Sequence, residues 1–273
     1  METRLTPSRV RMRRHSTREG DLNWLLLPGG PGIGSESLHE LADAMDVPGS
    51  IWLVDLPGDG SHTDHGLANP FDAWPQVLLE AAQAVPNAVF AGHSTGGMYL
   101  LATPALRDHV RGIALLDTAP NHDWHAGYVQ MTIDDPLPRF NEAAAIYEGN
   151  KTFDNLTTLV VESAEWNFEP GSVEAGRALL SRMPYNAAAV DWSDANFDHT
   201  YTARWFPTDI PVLRLWGDND RIVSQAAWDD PRYQTPNVLA RSIPGAGHFP
   251  WIENPAAVTA AFRDFAARIR DFA

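Results

Sequence analysis

Cysteine is absent from the 273-residue sequence, which removes disulfides, thiolate metal sites and a thiol nucleophile. Long hydrophobic runs are absent too. Nothing approaches the roughly twenty apolar residues of a bilayer-spanning helix, and no signal-type apolar segment follows the first residues. The expected location is therefore the cytoplasm, with no membrane partner. Positive charge is sparse: 20 Lys and Arg stand against 35 Asp and Glu, a formal net charge of −15. A nucleic-acid binder needs a basic face, so no nucleic-acid partner is expected. The few cations are unevenly spread, with Arg4, Arg9, Arg11, Arg13, Arg14 and Arg18 in the first twenty positions. Glu2 and Glu19 interrupt that run, which favours an edge strand guarded by charge over an Arg-rich targeting arm. Internal repeats and low-complexity tracts are also missing.

What is present is a soluble globular composition, 44% apolar and 20% charged, in a chain long enough for one large domain or a domain with an insertion. Leu22–Leu27, Ile51–Val54, Val89–Ala91 and Gly112–Leu116 are short apolar runs that suit buried strands. Between them, residues 35–46 and 71–85 carry apolar positions at helical spacing. This alternation predicts an α/β fold, a mostly parallel central sheet with helices on both faces. The rhythm breaks over residues 121 to about 206, where short helices are expected. It resumes with strands at 210–216 and 238–243 and a closing amphipathic helix containing Val258, Phe262, Phe265 and Ile269. The expected organisation is a core of 1–120 and 207–273 with a mainly helical cap (lid) inserted at 121–206.

The most informative motif is Gly92-His93-Ser94-Thr95-Gly96, set between an apolar strand and a helix. A G-x-S-x-G in that context suits a sharp strand-to-helix turn that presents Ser94 as a nucleophile. A hydroxyl needs a base, and the base an orienting acid. Gly217-Asp218-Asn219-Asp220 and Gly245-Ala246-Gly247-His248 each follow a strand, where open α/β sheets bind ligands. Asp117 ends another strand and is the second choice of acid. His93 precedes Ser94, so its side chain is expected to point away from the nucleophile. His122 and His125 lack a third ligand, so no metal is expected. A histidine base implies that activity falls as pH drops through the imidazole range.

With Ser, Asp and His in this chain order, the sequence resembles the α/β-hydrolase family over almost its whole length. Gly217-Asp218-Asn219-Asp220-Arg221-Ile222-Val223 is similar to the family's acid loop, which selects Asp220 over Asp218. Gly247-His248-Phe249-Pro250 resembles its histidine loop, and Asp55-x-x-Gly58-x-Gly60 the loop after its fourth strand. Pro28-Gly29-Gly30-Pro31-Gly32 is similar to the oxyanion loop of proline iminopeptidases and related serine hydrolases, with Pro28 where those have His. The resemblance implies a Ser94–His248–Asp220 triad, with the backbone N–H groups of Gly30 and Thr95 as oxyanion donors and no cofactor.

Substrate identity is expected to lie in the insert. Its aromatics would line an apolar pocket for a small molecule or simply fill a cap core. Proline iminopeptidases hold a substrate amine with cap acids, a role open here to Glu162, Glu165 and Glu169; Glu162, Glu165 and the aromatic Trp166 are the candidate substrate-binding residues. The spacing of Glu162, Glu165 and Glu169 equally suits a solvated helix face. The leading expectation is a monomeric or homodimeric serine hydrolase of small esters. A proline iminopeptidase-like aminopeptidase, a non-catalytic ligand-binding module, and C–C or perhydrolase-type chemistry remain alternatives.

Overall fold

The computed structural model describes residues 2–272. Eight strands form one sheet: β1 (Thr3–Leu5), β2 (Arg11–Thr17), β3 (Asn23–Leu27), β4 (Ser50–Asp55), β5 (Ala88–His93), β6 (Val110–Leu116), β7 (Val212–Gly217) and β8 (Val238–Ile243). Their spatial order is β1-β2-β4-β3-β5-β6-β7-β8. The six strands from β3 to β8 are parallel, and the first two run antiparallel. The early arginines lie on and beside those antiparallel strands. Arg11 and Arg13 both reach the buried carboxylate of Asp55 at the end of β4, at 2.9 and 3.1 Å. Arg4 covers the ring of Trp52 at 4.6 Å.

Alternation within each strand sends successive side chains to opposite faces, and both faces are covered. Trp24, Leu26, Ile51, Leu53, Val89 and Leu213 pack under α1 (His39–Ala44) and the long C-terminal helix, with Phe262 and Phe265 seated on Trp24. Leu25, Leu27, Trp52, Val54, Phe90 and Ile113 pack under α2 (Trp74–Gln83) and α3 (Thr95–Leu101). Strands buried on both sides read as continuous apolar runs, which is why they are visible in the sequence.

Six helices lie between β6 and β7: α4 (Asp123–Asp134), α5 (Pro138–Gly149), α6 (Phe153–Glu162), α7 (Ala164–Asn167), α8 (Val173–Leu180) and α9 (Ala187–Asn196). They divide their anchors between the two cores. Ala189, Phe197 and Tyr201 join one, and Ala164, Phe168, Leu179 and Met183 join the other. The chain closes with α10 (Pro250–Glu253) and α11 (Pro255–Asp271). No helix among the described residues is long and apolar enough to cross a membrane.

Candidate active site

β5 ends at His93 and α3 begins at Thr95, so one residue must turn the chain. That residue is Ser94, at φ 51° and ψ −123°. This region costs a non-glycine residue about 1–3 kcal/mol and is found where surrounding structure enforces it. Here the enforcement is close backbone approach. A Cβ on Gly92 would lie 2.6 Å from the Gly97 nitrogen, and one on Gly29 would lie 2.7 Å from the Ser94 Cβ. Thr118 adds a clasp, its hydroxyl donating to the Ser94 carbonyl at 2.7 Å. The Ser94 hydroxyl itself makes no hydrogen bond among the described residues.

The histidine loop follows β8. His248 Nδ1 donates to both Asp220 oxygens, each 3.1 Å away. The two side chains are only 6% and 1% exposed. Asp220 sits after β7, and its Oδ1 also accepts the N–H groups of Ile222 (2.9 Å) and Val223 (3.2 Å). Asp218, by contrast, ties the two loops together by accepting the Gly245 N–H at 2.9 Å. Asp117, at the end of neighbouring β6, is completely buried and accepts the Gly217 N–H at 2.8 Å. Burial, and then the Asp220 charge, push its pKa well above the carboxylate range.

Ser94 and His248 line one cavity of about 370 Å³. Gly30 and Thr95 line it too. Thr95 is the first residue of α3, so its N–H lacks an intrahelical acceptor. The Gly30 N–H donates to no other group among the described residues. Two unspent amides beside a serine suit a developing oxyanion.

The insert supplies most of the remaining wall, chiefly Trp124, Tyr128, Phe140, Leu156, Leu159 and Val160. Three residues considered as substrate contacts lie elsewhere. Glu162 and Glu165 pair with Arg177 at 3.0 and 3.2 Å. Trp166 is fully buried one layer behind the wall, with Nε1 donating to the Asp135 carbonyl at 2.9 Å and its ring against Phe140. The physical reason is helix phase: Leu156, Leu159 and Val160 of α6 face the cavity, as do Ser163 and Asn167 at the two ends of α7, which leaves Glu162 and Glu165 on other faces. The insert carboxyl that does line the cavity is Asp198, held by the Ser193 hydroxyl at 2.9 Å. Its pKa is raised, chiefly by burial.

His93 has a role that the sequence did not suggest. It is buried against the histidine loop, its ring 4.7 Å from that of His248 and its Nε2 donating to the His248 carbonyl at 2.9 Å. Burial lowers its pKa well below the usual imidazole value, with His248 the next cause. The insert fixes the same loop from the other side. The His248 N–H donates to the Asn167 carbonyl at 2.8 Å, and Glu253 accepts the N–H groups of both Gly247 and Glu169. No sequence signal identified these ties beyond the proximity of Glu253 to the loop.

Asp117, Asp220 and His248 hold donor atoms within 4.8 Å of one another, and form the one cluster of metal-type ligands among the described residues. His248 and Asp220 are already bonded to each other, so a cation there would have to displace that hydrogen bond.

A sequence model of the alpha/beta hydrolase family matches residues 24–261. The chain belongs to the alpha/beta hydrolase family. Among similar proteins, a pimeloyl-[acyl-carrier protein] methyl ester esterase of Xanthomonas oryzae pv. oryzae is 30% identical over 222 residues, 80% of this chain and 85% of that one. One of Xylella fastidiosa is 28% identical over 255 residues, covering 90% and 95%. Among solved structures, a proline iminopeptidase-related protein of Thermus thermophilus superposes with a TM-score of 0.73 at 20% identity, covering 100% and 99% of the two chains. An esterase of Rhodococcus sp. ECU1013 gives 0.70 at 18%, covering 98% and 99%. These structures share the hydrolase fold, and the sequence relatives support a hydrolase acting on esters.

Proposed function

We propose that the protein is a serine hydrolase of small, largely apolar esters. In this reading Ser94 is the nucleophile, His248 the general base and then acid, Asp220 its orienting partner, and the Gly30 and Thr95 N–H groups the oxyanion donors. The observation that carries it is a buried His248, bonded to Asp220, lining the same cavity as a serine in a strained turn. His248 takes the Ser94 proton as Oγ bonds to the acyl carbon. The oxyanion collapses, the alcohol leaves with that proton, and water then repeats the sequence on the acyl-enzyme. Residues 121–206 act as a cap whose Leu159, Val160 and Phe140 select the acyl or alcohol group. Residue counts in that segment give 13 Asp and Glu against 5 Lys and Arg, which disfavours strongly anionic substrates.

The aminopeptidase alternative keeps one supporting observation, the Asp198 carboxyl in the cavity wall. A panel of short-chain p-nitrophenyl esters and prolyl and alanyl p-nitroanilides separates the two. Ester turnover that disappears in Ser94→Ala, with the anilides untouched, is the expected result. Preferred turnover of the anilides would replace the ester reading with the aminopeptidase one.

A further inference from the structure

We propose that Asp117 is a positioning residue of the triad, a carboxylic acid that donates its O–H towards the Asp220 carboxylate and so tempers the charge presented to His248. The proposal rests on the triad reading above. It begins with an imbalance between two carboxyls at the ends of adjacent strands. Asp220 receives three N–H donors, from Ile222, Val223 and His248. Asp117 receives one, from Gly217 through Oδ1. Its Oδ2 is buried with no hydrogen-bond partner, an expensive condition for a bare carboxylate oxygen.

Both problems have one solution. Asp117, Asp220 and His248 offer atoms within 4.8 Å of one another, and two carboxylates that close in a water-excluded site cannot both stay ionised. Asp117, with the fewer N–H donors, is the one that takes the proton. The proton resides on Asp117 Oδ2, which turns an orphaned acceptor into a donor. The titratable groups facing Asp117 are Asp220 on the acid loop, His248 on the histidine loop and Glu253 on α10. Glu253 is itself an acid, so it offers no counter-charge to a second anion. The φ of +44° at Asp117, in a region that L residues rarely adopt, marks a backbone held in place to deliver this side chain.

The consequence is a chain of proton bonds, Asp117 to Asp220 and His248 to Asp220, carrying a single negative charge. Removing the Asp117 donor concentrates charge on Asp220 and favours the protonated imidazole. Replacing it with an uncharged donor of the same shape leaves the chain intact.

Three measurements test this. Asp117→Asn retains the acceptor for Gly217 and an N–H donor, so kcat/KM stays within about threefold of wild type and the acid limb of its pH profile stays in place. Asp117→Ala loses the donor, lowers kcat about tenfold and moves that limb to higher pH. The third readout needs no activity. An unfolded Asp gives up its proton near pH 3.9, whereas native Asp117 holds it to higher pH. Unfolding therefore releases a proton above that point, and wild-type stability falls as pH rises. The Tm advantage of Asp117→Asn is accordingly near zero at pH 4 and widens with increasing pH. An acid limb displaced downwards by about one unit in Asp117→Asn, or a Tm gap that is flat above pH 5, means that Asp117 is ionised and overturns the proposal. Failure of Ser94 to react with a serine-directed probe would remove the triad reading while leaving the melting comparison decisive.

Discussion

The loops at the strand ends and the inserted helices face each other across one cavity, yet they are built by different means. The strand-end loops are set by backbone. Ser94 and Asp117 occupy positive φ, Gly29 and Gly92 permit contacts that no side chain would survive, and Asp220 is fixed by amide donors. The inserted wall is mostly apolar side chain, from Trp124 to Val160. A surface made by backbone geometry fails abruptly when changed, whereas one made by side-chain packing can be retuned. Under the proposed function, chemistry belongs to the loops and selectivity to the helices.

The largest expected effect is in the loops. Gly29→Ala places a Cβ 2.7 Å from the Ser94 Cβ and 2.9 Å from the His93 carbonyl oxygen, and both are held by backbone. A displacement of the turn should cost about 10²-fold in kcat, the loss expected for a misplacement near 1 Å, as measured with a short ester. On the opposite wall, Val160→Phe should fill part of the 370 Å³ cavity. Here the expected change is in selectivity, roughly 10–100-fold against long acyl chains, with little effect on acetyl esters. Comparable losses for all chain lengths would mean that the insert does more than select.

The sequence made these two regions unequally legible. The strands were readable because burial on both faces produces apolar runs such as Trp24–Leu27 and Ile51–Val54. The family resemblance rested on the loops between those strands. Helix phase in the insert was not readable from the glutamates alone. Glu162 and Glu165 have helical spacing, but so do Leu156, Leu159, Val160 and Ser163, and only the second set faces the cavity. That apolar stripe was the available signal. His93 shows the limit of local reasoning. The turn at Ser94 does separate adjacent side chains, but the histidine loop, some 155 residues later, folds over the ring of His93. Asp117 carried a readable hint, since it and Asp220 follow neighbouring parallel strands.

Smaller effects sharpen the contrast further. His93 is buried with a depressed pKa, so the unfolded chain binds a proton below the unfolded imidazole pKa of about 6.5 that the native chain refuses. Stability should decline as pH falls below that point, by at most about 1.4 kcal/mol per pH unit. His93→Gln should flatten this part of the Tm–pH curve, and an unchanged slope would show that His93 does not contribute to it. Smallest of all, Glu165→Gln touches only an exposed ion pair with Arg177. It should alter kcat/KM by less than about twofold and stability by less than about 1 kcal/mol. A large rise in KM would return this glutamate to the substrate site.

The central claim is that Ser94 is the activated nucleophile. Its most direct test is reaction of the intact protein with a fluorophosphonate, followed by mass spectrometry of the digest. The account predicts one adduct per chain, on the peptide containing Ser94, absent in Ser94→Ala and formed far more slowly in His248→Ala. An unmodified Ser94 under conditions that label a control serine hydrolase, or an adduct on another residue, would contradict it.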